Sequence, residues 1–238
     1  MIYYETLPSN SCTVSFITFV INYALNLDFT THPFLPHAQR AFYPTMKTLL
    51  TTLISLSLLM IALQFFQDDL VFKRTEIDHG EWWRIITGNF VHTNYPHLAL
   101  NLTGLWIMGF LFSDSFNTKK ILMSTVFLSI VTGLLLYWFS RELDWYAGFS
   151  GVLYGLFLIG AFTAITQKDF LFGIGVALLI IGKVLWGHFM GGSESSAELI
   201  GVPVATDAHL FGITGALFVA AFLGVQHYFQ ERSRSTAR

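Results

Sequence analysis

Six apolar stretches, each close to the length of a bilayer span, dominate this chain: residues 48–66, 97–112, 121–140, 149–165, 170–190 and 208–229. A helix that crosses a membrane needs about 20 mostly apolar residues, because only its own hydrogen bonds can satisfy the backbone where water is absent. The pattern predicts an all-α integral membrane protein, a bundle of six transmembrane helices with the lipid bilayer as its first partner. Composition agrees: charged residues make up 12% of the chain, against roughly a quarter in a soluble domain. Twenty-four Phe argue against disorder, and a net charge of −2 offers no basic surface for nucleic acid. Cys12 is the single cysteine and no Cys/His cluster has zinc-site spacing, so no intrachain disulfide, metal or cofactor is expected to hold the fold. Helix packing must do so.

Orientation follows from the basic residues, which stay cytoplasmic in short loops. With both termini inside, Lys47, Lys119, Lys120, Lys168, Arg232, Arg234 and Arg238 are cytoplasmic, and Lys73, Arg74, Arg84 and Arg141 lie outside. The outer loops collect acids instead, among them Asp68, Asp69, Glu76, Asp78, Glu81, Glu142, Asp144, Glu194, Glu198 and Asp207. Residues 1–45 fit poorly: the run 13–27 is short for a span, carries Asn22 and Asn26, and precedes Pro33, Pro36 and Pro44. Met46-Lys47 ahead of an apolar run reads as a natural start. The expected organisation is an N-terminal extension over 1–45, a membrane domain over 46–230 and a cytoplasmic tail over 231–238. The outer loop 67–96 is expected to lie along the outer face, with Trp82 and Trp83 at the lipid–water interface and Arg84 hydrated.

The second, fourth and sixth helices all run inward in this topology, so their first turns share one depth just below the outer surface. Each carries polar groups there. The second opens with HLALN, which puts His97 and Asn101 on one face; the fourth opens with GFSGVLYG, containing Ser150; the sixth opens with DAHLFGITGA, containing His209. Polar side chains are costly in lipid and tend to face an interior cavity. Gly148, Gly151 and Gly155 around the serine, and Gly212 and Ala216 after the histidine, give two smooth strips that let the fourth and sixth helices meet. That meeting would put a nucleophile, Ser150, beside a general base, His209. The oxygen that turns negative on an attacked carbonyl needs fixed donors, available in the Ser150 N–H and the side chains of His97 and Asn101.

Taken in order, HxxxN, GxSG with a Tyr four residues after the Ser, and AHxxG resemble the motifs of the rhomboid intramembrane serine proteases. The match covers about residues 83–215 and includes the pair Trp83-Arg84 and the loop histidine His92. The resemblance implies a six-helix rhomboid-like bundle acting on transmembrane protein substrates, with a Ser150–His209 dyad and oxyanion contacts from His97, Asn101 and the Ser150 amide. It also implies Tyr154 packed on the His209 ring, with Gly148, Gly151 and Gly212 in support. No aspartate is needed; Asp207 is expected to cap the sixth helix. One departure is Ala216, where the family has a second glycine. The wording TGNFVHTNYPHLALNLTGL and GFSGVLYGL is most similar to the rhombosortase branch of Gram-negative bacteria, although many of its members carry a histidine where Tyr154 stands. That branch implies an inner-membrane enzyme with its site toward the periplasm, processing surface proteins that end in Gly-Gly, an apolar helix and a basic tail.

Two other classes compete. A catalytically inactive, client-binding rhomboid-like protein is disfavoured by the presence of both dyad residues and both oxyanion side chains. A transporter would need buried ions, and the only mid-helix cation, Lys183, sits toward the outer end of its helix, where it can snorkel. The HExxH and GxGD patterns of other intramembrane proteases are missing. His79, His188 and His227 receive no role. His92 either shapes a water route or satisfies loop backbone, and loop 191–207 is either a flap over the site or a plain connector.

Overall fold

The computed structural model describes residues 37–191 and 194–236. The chain divides into two units, Met1–Met46 and Lys47–Arg238; the extension expected over 1–45 lies, as far as residue 36, outside the described residues. The described chain is mostly helical. The long helices are α1 (His37–Gln64), α5 (Tyr95–Leu111), α6 (Thr118–Phe139), α7 (Ser150–Thr166), α8 (Phe170–Met190) and α10 (Thr206–Thr236). Short pieces join them: α2 (Gln67–Leu70), β1 (Phe72–Lys73), α3 (Arg74–Asp78), α4 (Arg84–Thr87), β2 (Trp145–Tyr146) and α9 (Glu194–Ile200). Among the described residues three helical stretches are long and apolar enough to cross a membrane, Met46–Gln64, Thr118–Phe139 and Phe170–Met190, and Ser150–Thr166 and Thr206–Phe222 are shorter apolar helices.

Local signals set the helix starts. The Asn94 side chain accepts the His97 N–H at 2.8 Å with Pro96 in the first turn of α5, and Asn117 accepts the Lys120 N–H at 2.9 Å at the start of α6. Helix α7 lies at the centre, buried along Gly151, Val152, Leu153, Leu156 and Ile159, and packs chiefly on α10 and α8. Helix α8 is the outlying one: Leu171 is 90% exposed, Phe189 76% and Leu178 68%. Side chains of that type on a surface are stable only against lipid.

The segment between α1 and α5 does more than lie along a face. Strand β1 pairs antiparallel with β2, Phe72 opposite Tyr146, and Phe72, Ile77, Ile85, Leu136, Tyr146 and Ala208 make one buried cluster. Arg84, expected to be hydrated, is buried; it donates to the Glu81 carboxylate and to the Asp68 and Val71 carbonyls, which compensate the loss of water. Trp82 and Trp83 are about half exposed beside it. The Arg74 guanidinium donates to the carbonyls of Leu136, Tyr137, Ser140 and Leu143, capping the C-terminal end of α6 where orphan carbonyls and the helix dipole both favour a cation.

Candidate active site

The polypeptide enters α7 through Gly148, whose φ of 144° lies in the region that disfavours side chains. A Cβ at this position would also stand 2.8 Å from the His97 ring. The turn is pinned from behind by the Tyr146 hydroxyl, which donates to the Gly148 carbonyl, and by the Gly148 N–H on the Gly88 carbonyl at 3.1 Å. Tyr146 is buried, which pushes its phenol up and keeps it a donor. Ser150 then opens the helix. As its first residue it carries an N–H without an intrahelical acceptor.

Helix α10 meets α7 backbone to backbone. A Cβ on Gly212 would fall 1.9 Å from the Gly151 carbonyl oxygen, and one on Gly151 would fall 2.5 Å from the Ala208 oxygen. This seam brings Ser150 Oγ to 2.8 Å from His209 Nε2. The Tyr154 ring, one turn further along α7, packs on the His209 ring with centroids 4.7 Å apart. Ala216, the departure from the family pattern, is fully buried, so the extra methyl is accommodated.

Across the site stands α5. His97 and Asn101 are buried on one face, and Asn101 Nδ2 donates to the His97 carbonyl at 3.0 Å, which leaves its second hydrogen free. The Thr93 hydroxyl donates to the Ile200 carbonyl at 2.8 Å and lies 3.1 Å from His97 Nδ1. Its one proton is thereby committed, so Thr93 accepts from His97 Nδ1–H, and a neutral His97 turns an unprotonated Nε2 toward Gly148. Ser150, His209, His97, Asn101 and Tyr154 all line one cavity of about 730 Å³. Helix α9 and the residues after it cover it: Ser196, Ile200, Val204 and Thr206 contribute to the lining. Asn94 Nδ2 on the Leu199 carbonyl adds a second tie from the start of α5 to this segment. Lys183, expected to snorkel, lines the same cavity.

Two expectations change. Asp207 sits inside the first turn of α10 and does not cap it; its carboxylate accepts from the Ser140 hydroxyl and lies 3.3 Å from His188 Nδ1, which makes no hydrogen bond. His92 does not satisfy loop backbone. Its ring is buried edge-on to His97 at 5.1 Å with neither nitrogen hydrogen-bonded, and burial with the His97 ring beside it pushes its pKa down to about 3, leaving it neutral. The backbone of His92 is held instead by Gln64, whose amide meets both its N–H and its carbonyl at 2.8 Å. Gln64, Thr93 and Tyr146 are the supporting residues that sequence patterns missed; each acts on a backbone group, distant in the chain for Gln64 and Thr93 and two residues on for Tyr146. Among the described residues no group of three His, Cys, Asp or Glu is arranged to hold a metal.

The family model of the Rhomboid domain matches residues 79–226, most of the chain, with Ser150, His209, His97, Asn101 and Tyr154 inside it. The chain belongs to the rhomboid family of intramembrane proteases. It is 29% identical over 150 residues to rhomboid protease GluP of Bacillus subtilis, covering 63% of this chain and 27% of that protein. It is 26% identical over 151 residues to the putative rhomboid protease YdcA of the same organism, covering 63% of this chain and 71% of YdcA. Rhomboid protease GlpG of Klebsiella pneumoniae is 27% identical over 144 residues, 59% of this chain and 48% of GlpG. The matched region is thus about a quarter of GluP and half of GlpG. The match begins at His79, so Arg74 and Gln64 lie before it.

Proposed function

We propose that this chain is an active intramembrane serine endopeptidase. The observation that carries the reading is the 2.8 Å contact between Ser150 Oγ and His209 Nε2 inside a cavity faced by α5 and α8. His209 takes the hydroxyl proton as Ser150 attacks a substrate carbonyl, then returns it to the leaving amine; water, activated by the same imidazole, hydrolyses the acyl-enzyme. The Ser150 N–H and the free hydrogen of Asn101 Nδ2 serve the oxyanion, each such donor being worth about 10²–10³ in turnover in other serine hydrolases. His97 joins them through Nε2 when its ring is protonated, since the neutral ring gives its proton to Thr93. No metal or cofactor takes part.

The reading extends to six spans with both termini in the cytoplasm, in the inner membrane of a Gram-negative bacterium with the site toward the periplasm. A single-span substrate enters sideways and unwinds near the outer surface, where each glycine lowers the cost of unwinding by roughly 1 kcal/mol relative to Ala. The resemblance to rhombosortases favours a substrate tail with Gly-Gly, an apolar helix and a basic end. The test is to co-express a reporter bearing such a tail with the wild-type chain or with Ser150→Ala. Release of the reporter by the wild type alone is expected. Cleavage of a generic single-span substrate but not of the Gly-Gly tail would overturn the rhombosortase assignment and leave the protease intact; cleavage of neither would overturn both.

A further inference from the structure

We infer that Lys183 is a specificity residue, which pairs in the cavity with an acidic side chain of the substrate lying within about three residues of the bond that is cut. The inference rests on the protease reading above. Helix α8 turns Ile180, Lys183, Trp186 and Gly187 to the cavity, one face at helical spacing, while Leu171, Leu178 and Phe189 lie on the other side, exposed. Lys183 is itself exposed, so it stands at the open, hydrated side of the chamber that holds Ser150 and His209 until a substrate displaces that water.

That chamber has nothing to neutralise it. Among the described residues that line it none is a carboxylate, and neither ion pair among the described residues includes Lys183. Glu194 and Glu198 of the covering helix are exposed and stay outside the lining. The wall opposite offers Leu100, Thr103, Gly104 and Ile107. A cation among apolar groups at membrane depth is costly when it has no partner, and a neutral substrate that displaces the cavity water leaves it so. A substrate that brings its own carboxylate removes that cost and its own desolvation cost together. Discrimination then works mainly against neutral and basic substrates, as unpaired buried charge does elsewhere.

The test uses the full chain in detergent with single-span peptides that carry Gly-Gly at the cut and differ at one position, occupied by Asp, Asn or Lys. That position is moved through the three residues on each side. At one position or more, the wild type should cleave the Asp peptide with a kcat/KM about tenfold above the Asn peptide, and the Lys peptide most slowly. Lys183→Met should bring the Asp to Asn ratio close to one, Lys183→Arg should keep it, and Lys183→Glu should favour the Lys peptide. The wild-type ratio needs no variant, so a variant that fails to fold does not rescue the idea. Equal rates for Asp and Asn at every position, or a ratio that survives in Lys183→Met, would overturn it. So would turnover that ignores the peptide charge and follows the content of anionic lipid, which would assign Lys183 to a lipid phosphate. Labelling of wild-type Ser150 by a fluorophosphonate separates the two levels: a labelled enzyme without acid preference overturns this inference alone, and an unlabelled one overturns the protease reading as well.

Discussion

Helices α7 and α10 on one side and α8 on the other use the same residue, glycine, to opposite ends. At Gly212 a single added methyl would collide with the Gly151 carbonyl, whereas at Gly175 and Gly182 of α8 it would meet nothing within 4 Å. The first pair of helices is in backbone contact and fixes a 2.8 Å hydrogen bond; α8 is held against α7 near its start, where a Cβ on Gly173 would fall 2.6 Å from the Ala161 oxygen, and beyond that gives its outer surface to lipid and part of its inner face to the cavity. Catalysis needs the reacting groups fixed, and access for a substrate helix needs one wall that can give way. The two demands are met by different helices.

The largest expected effect breaks the rigid side. Gly212→Ala should separate α7 from α10, abolish Ser150 reactivity and lower stability by about 3 kcal/mol, because two backbones cannot yield as a side chain would. Thermal unfolding in detergent checks it, alongside probe labelling. Next comes the brace: Arg74→Met takes a donor from four carbonyls at and just beyond the end of α6, of which Leu136 and Ser140 keep a backbone N–H, and should cost about 2 kcal/mol in the same unfolding assay. Tyr146→Phe is milder. It removes the hydroxyl behind Gly148, and should cost about 1 kcal/mol while lowering turnover several-fold, since the entry of the chain into Ser150 loosens. Gly182→Ala should do least, leaving turnover unchanged and raising helix stability by at most about 1 kcal/mol. A large loss there would mean that α8 is as tightly packed as α10, and the contrast between the two regions would collapse.

Much of this contrast was legible in residues. The polar first turns at His97, Ser150 and His209 and the glycines beside them could be read from spacing, because helical periodicity puts a given residue on a known face. The helix ends at Leu111, Phe139 and Met190 also fall within a residue of those expected. What could not be read were partners made of backbone. Arg74, Gln64 and Thr93 act on carbonyls or amides distant in the chain, and Tyr146 on one two residues away; in each case the partner is backbone, and a carbonyl has no letter in a sequence. Arg84 was misjudged for the same reason: two of its three acceptors are main-chain oxygens, so a burial that its charge argues against is compensated. For Lys183, its place on α8 says how far out it lies, and only the cavity shows that it also lines the site.

The central claim, that Ser150 is made nucleophilic by His209 across the α7–α10 seam, is tested most directly by the rate at which a fluorophosphonate labels the purified protein. Wild type should label at Ser150 alone, and both Ser150→Ala and a folded His209→Ala should lose labelling. Undiminished labelling of folded His209→Ala would contradict the claim, because the hydroxyl would then react without the base to which the structure bonds it.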